Sequence, residues 1–216
     1  MSKKEDEKFE REMKNQRKEQ GFSNQDVWSM NWWFLTIVPK MLKELRESTS
    51  SSPIQFLNDY YERHIKPLNI CNDEEFWCSP KTEEAKRLFD KVLKASLRRW
   101  KNILKRMEQT FLDSVEDTCS YKNKYHDDYF KAFDEYIEKY GLCGNKIKNN
   151  PGLEHKKDGN TVHTFSKNPY LMEKLDEYKE IYRLYHTEQK KIDTYMEKSK
   201  QKALKMFVKY FDCLNY

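Results

Sequence analysis

Along most of the chain, apolar side chains return every third or fourth position, the spacing that keeps one face of an α-helix dry. The pattern first emerges in GFSNQDVWSMNWWFLTIVPK, Gly21 to Lys40, and carries on past it. Trp28, Trp32, Leu35, Leu42 and Leu45 fall on one face, with Phe34, Ile37 and Met41 beside them. Ser23 followed by Asp26 reads as an N-cap with its reciprocal acidic partner, and Phe22 with Val27 as the hydrophobic staple around it. A heavily buried helix is predicted over 24–47, with Pro39 kinking it or ending it. The apolar run Trp32 to Val38 is seven residues long, whereas a bilayer span needs roughly 20. The segment therefore reads as core rather than membrane anchor. Core packing is also preferred to a ligand-stacking patch, because Trp is usually buried for its area.

The turn formers STSSSP (Ser48 to Pro53) end this helix. A short helix comes next, with Ile54, Leu57, Tyr61 and Ile65 inward, and stops near Pro67. An irregular stretch to Pro80 is expected to plug the core with Phe76 and Trp77. A long helix is predicted over 82–118 on the stripe Phe89, Leu93, Leu97, Trp100, Leu104, Met107, Phe111 and Val115, and another over 126–140. Residues 141–169 hold four of the five glycines and no helical period, and read as a long irregular loop. Asn168 and Pro169 restart a helix as N-cap and first turn. A heptad then runs from Leu171 to Cys213. Unbroken it would be roughly 65 Å long, so it is expected either to break near Gln189 or to project and pair with another chain. The expectation is an all-α bundle of four to six helices: a charged arm over 1–20 and a single domain over 21–216.

Composition narrows this picture. Only 37% of residues are hydrophobic and 36% are charged, so aromatics at 14% must supply much of the core. The arm carries seven basic and six acidic residues and no apolar leader segment, which argues against secretion. Five scattered cysteines form no CxxC pair, which excludes a zinc ribbon or thioredoxin motif and suggests free thiols in a reducing compartment.

Catalytic templates are missing: no GxSxG, P-loop, GxGxxG or HExxH occurs, nor the Glu-x-x-His pairs of a di-iron bundle. No cofactor, metal or enzymatic activity is expected. His126 with Asp127 and Asp128 reads as a helix start, its acids near the positive end of the dipole. A Cys143–His163 nucleophile pair is the one catalytic alternative.

Charge supplies the strongest signal. Arg87, Lys91, Lys94, Arg98, Lys101 and Lys105 recur at helical steps, and the reading is that no acid interrupts them. At 100° per residue they lie within about 40° of one line facing away from the apolar stripe. Residues 81–106 hold ten basic and three acidic groups, whereas 113–138 hold three and eight. Like charges at this spacing repel, so a single-sign ridge points to a phosphate-bearing small molecule, a polyanion or an acidic protein surface. A solvated lysine face is the plain alternative. Lys146, Lys148, Lys156 and Lys157 of the loop are candidates to extend the field.

The Gly21–Leu45 segment resembles the opening of a family of small bacteriophage and prophage proteins, Gly-Phe-Ser-x-x-Asp-x-Trp-x-Leu-x-Trp/Tyr followed by a Leu-Pro-Arg/Lys-Leu-like run. Gly21, Phe22, Ser23, Asp26, Trp28, Trp32, Pro39, Lys40 and Leu42 match, and Met30 replaces Leu. RRWKNILKRMEQTF and, more weakly, ALKMFVKYFDCLNY are similar too, although Asn215 stands where the family tends to have Trp. The resemblance covers about a third of the chain. It implies a phage gene product acting in the host cytoplasm and supplies no catalytic residues. The expected function is a non-enzymatic accessory protein that counters host defence, by sequestering a nucleotide-type signal or by binding and inhibiting a host protein. Nucleic-acid binding through the ridge, or a structural and assembly role, is the alternative. A homo-oligomer and no membrane partner are expected.

Overall fold

A computed structural model describes residues 3–141 and 170–214. All regular elements among them are helical: α1 (Lys3–Gln20), α2 (Asn24–Trp28), α3 (Met30–Ser48), α4 (Ile54–His64), α5 (Asp73–Cys78), α6 (Glu83–Leu112), α7 (His126–Tyr140), α8 (Tyr170–Lys174) and α9 (Asp176–Lys209). The all-α class is as expected. The count of α-helices among the described residues, nine, exceeds four to six because several are short.

The charged arm is helix α1, tied to α2 by an Arg17 fork. Its Nε and Nη2 donate to the two oxygens of Asp26 at 2.8 and 2.7 Å. The same carboxylate accepts from the Ser23 amide at 2.7 Å and hydroxyl at 2.9 Å, completing the expected capping box. The Arg17 bonds first, and the Ser23 amide next, hold the Asp26 carboxyl well below the usual carboxylate range. Gly21 makes the intervening turn at φ +84°, where a side chain would be strained.

The helix predicted over 24–47 divides at Ser29 into α2 and α3, and α3 then runs through the buried Pro39 without ending there. The buried face of α3 centres on Val38 and Leu42, with Phe34, Leu35 and Leu45 against the same core. Trp32 lies roughly 110° round the helix from that face and is 55% exposed. Met30, Met41, Phe22 and Val27 are exposed as well, so the heavily buried helix is buried on one side only. The side chain of Trp28 is outside those described.

Phe76 is buried as expected, but from helix α5, capped by Asn72, which accepts from the Glu75 amide at 2.8 Å. Ile54, expected inward, is exposed. The chain clusters into two compact units, Met1–Ser120 with Met196–Tyr216, and Tyr121–Tyr195. The first is built on Trp100, Leu104, Met107, Phe111, Phe56, Leu42 and Ala203, with Phe56 stacked on Trp100 at 5.5 Å. The second is aromatic, with Tyr129 stacked on Tyr185 at 4.0 Å and Tyr136 beside Tyr178. α9 contributes to both units and passes Gln189 unbroken; the helical pattern is interrupted at Leu175 instead. Residues 142–169 of the expected loop, including Asn168 and Pro169, lie outside the described residues.

Candidate polyanion-binding ridge

α6 begins where Thr82 accepts from the Ala85 amide at 3.1 Å, with Glu83 and Glu84 at the positive end of the helix. Its second half buries Trp100, Leu104, Met107 and Phe111, as the stripe predicts. Its first half follows the stripe only in part, with Phe89 packed against Phe76. Val92 and Ser96 are sealed there, while Leu93 is 39% exposed. The cause is a tertiary bond, as the Ser96 hydroxyl donates to the Phe56 carbonyl of α4 at 3.0 Å. The bond satisfies the buried Ser96 hydroxyl where α6 packs on α4.

The six ridge residues remain on the outer side. Arg87, Lys91, Lys94, Arg98 and Lys105 are exposed, and Lys101 is half-buried. From Arg87 to Lys105 the ridge spans about 27 Å. Among the described residues, none of the six has a carboxylate partner. Their helical neighbours differ: Lys86 pairs with Glu83 at 2.8 Å, and Arg99 binds Asp59 while its guanidinium lies over the Phe56 ring at 5.3 Å. The Arg99 bond lowers the carboxyl pKa of Asp59. Arg99 is thus neutralised against α4 and Lys86 within α6 itself, whereas the outer line, like Arg106 beside it, has no carboxylate partner among the described residues.

Four ridge residues, Arg87, Lys91, Lys94 and Arg98, line an open groove of about 470 Å³ together with Tyr60, Asp90 and Ala95. Lys101 and Lys105 continue the line beyond it. Sequence reasoning missed Tyr60, because only the packing of α4 on α6 brings that ring beside the ridge. It also passed over Asp90, which lies between Arg87 and Lys94 and puts one acid into the groove. The field there is mixed at one point and basic elsewhere.

Among the described residues the other candidates form no site. His126, Asp127 and Asp128 start α7, as expected. Among the described residues no cluster of His, Cys, Asp or Glu could hold a metal ion, and Cys71, Cys78 and Cys213 are free thiols. Cys143, His163, Lys146, Lys148, Lys156 and Lys157 lie outside the described residues. No described helix is long and apolar enough to cross a membrane. Comparison with protein-family models, curated proteins and solved structures yields no match.

Proposed function

We propose that this is a non-enzymatic binding protein whose α6 ridge engages an extended polyanion, the phosphate backbone of a nucleic acid. The carrying observation is the unequal treatment of cations on one helix. Lys86 and Arg99 hold carboxylates, while the six ridge residues hold none among the described residues. Aligning like charges at helical spacing is unfavourable unless an external anion compensates. A nucleotide-type signal would need a concavity burying most of its surface, and the groove is open and continues along the helix. The shape therefore favours a backbone lying along the ridge over a sequestered small molecule. Tyr60 and the arginines offer flat surfaces for sugar or base contact beside the phosphates. In the phage setting that the opening segment resembles, the counter-defence role would then act by occupying nucleic acid.

The test is charge reversal at Arg98→Glu and Lys101→Glu together, with binding to a labelled DNA duplex read by fluorescence anisotropy. The reading expects loss of binding with an unchanged circular-dichroism spectrum. Retained binding overturns it. Loss of an acidic host protein in place of DNA would move the ridge to the inhibitory alternative.

A further inference from the structure

A second single-sign face lies on α9. Between Lys198 and Phe211 the chain KSKQKALKMFVKYF holds five lysines and no acid. Four of them, Lys198, Lys202, Lys205 and Lys209, step by four, three and four, so they align along one side of the helix for about 16 Å. All four are exposed and, among the described residues, without a carboxylate partner, while Lys200, off that line, pairs with Glu197 at 2.6 Å. The four line a shallow groove of about 350 Å³ whose remaining walls are Gln201 and Met206.

The earlier turns of the same helix provide a control. There cations alternate with acids and pair at helical spacing: Arg183 with Glu180 at 2.6 Å, Lys191 with Glu188 at 2.9 Å. Among the described residues, two of the four cations in the earlier stretch pair at i, i+3, whereas none of the four on the Lys198–Lys209 line does. The buried line of this stretch, Ser199 and Ala203 with Met206 and Tyr210 packed on the core, lies roughly 110° round the helix from the lysines. Packing therefore does not require lysine at these positions, since any polar residue would serve.

We infer that the Lys198–Lys209 face is a second phosphate-binding surface, taking the backbone of the same nucleic acid that the α6 ridge engages. The inference rests on that proposed function and extends it to a second contact within the same compact unit. With one DNA phosphate per 3.4 Å of duplex axis on each strand, a line of about 16 Å parallel to that axis runs past roughly four or five of one strand's phosphates. Gln201 adds a neutral donor and acceptor, and Met206 an apolar surface, suited to sugar edges between phosphates.

The test uses the full chain and a labelled duplex in anisotropy titrations across a salt series. The variant is Lys198→Gln, Lys202→Gln, Lys205→Gln and Lys209→Gln together, which keeps helix propensity and removes charge. The inference expects affinity to fall and the slope of log affinity against log salt to become shallower by about 3 to 4. A slope equal to wild type, with the α6 ridge variant still deficient, overturns this second surface alone. If the wild-type chain fails to bind duplex at low salt, both the ridge reading and this one fall. A measurement on wild type avoids any dependence on how the variant folds: acetylation of lysines with and without duplex, read by mass spectrometry. Protection of Lys198, Lys202, Lys205 and Lys209 supports the surface, and unchanged labelling of these four while Lys91 and Lys94 are protected overturns it.

Discussion

The outer face of α6 and the α7–α9 region of the second unit use charge in opposite ways. In the second unit charged side chains knit neighbouring segments. Lys139 reaches Glu177 at 2.6 Å, Tyr121 donates to Glu188 at 2.9 Å, and Glu188 also holds Lys191. These bonds move pKa values as expected: hydrogen bonding to Glu177 first, then to Tyr140, raises the Lys139 ammonium, and Lys191 and Tyr121 lower the Glu188 carboxyl. On α6 the six aligned cations have no such partners. The difference teaches that abundance of charge says little about binding; what matters is whether the fold itself consumes the charge. A chain that is 36% charged can neutralise a basic line easily, and here the α6 line is left open.

The sharpest way to break this comparison is to reverse the open charges. Arg87→Glu, Lys91→Glu, Lys94→Glu and Arg98→Glu together should lower duplex affinity by more than about 100-fold. Thermal melting should stay within a few degrees of wild type, because no internal partner is lost. A large fall in melting temperature would show that the ridge is structural after all.

Next in size is the core beneath the ridge. Trp100→Ala removes a fully buried ring stacked on Phe56, and should cost about 3–5 kcal/mol in urea unfolding. Ridge and core variants should thus separate, one losing binding and the other stability. Smaller again is Ser23→Ala, which removes a buried cap and should cost about 0.5–2 kcal/mol.

Acid should act through the Arg17 fork. The Asp26 carboxyl titrates lower in the folded state than its ordinary 3.8, so the stability it contributes is present above that value and is lost as pH falls below it. Melting temperature should drop on acidification below about pH 4, and part of that drop should vanish in Asp26→Asn. The smallest effect is expected in the second unit's exposed pairs. Arg183→Gln should leave duplex affinity unchanged and shift melting by less than about 2 °C.

Legibility in the sequence varies by element. The Ser23–Asp26 capping box and both ends of α7 follow from local chemistry, and local chemistry is visible in sequence. α5 is equally legible, since Asn72 precedes three acids in the first turn, but its shortness hides it. The register of α6 is not legible in its first half: Ser96 looks polar, and only a bond to the Phe56 carbonyl explains its burial. Trp32 shares α3 with Val38 and Leu42 and lies roughly 110° round the helix from them, so a stripe drawn wide enough to include it overstates the face that the core covers. Of the candidate site, the six cations are readable from spacing alone, whereas Tyr60 joins them only through tertiary packing. The lysine line on α9 is readable too, with the same four and three spacing, but the heptad marks out other positions on that helix.

The most direct test of the central claim is the salt dependence of duplex binding by wild type and by the four-residue α6 variant. If the ridge lies along phosphates, log affinity should fall steeply with log salt in wild type, and the slope should be shallower by about 3 to 4 in the variant. Equal slopes would mean that these cations contact no phosphate, and the ridge would then be an ordinary solvated face.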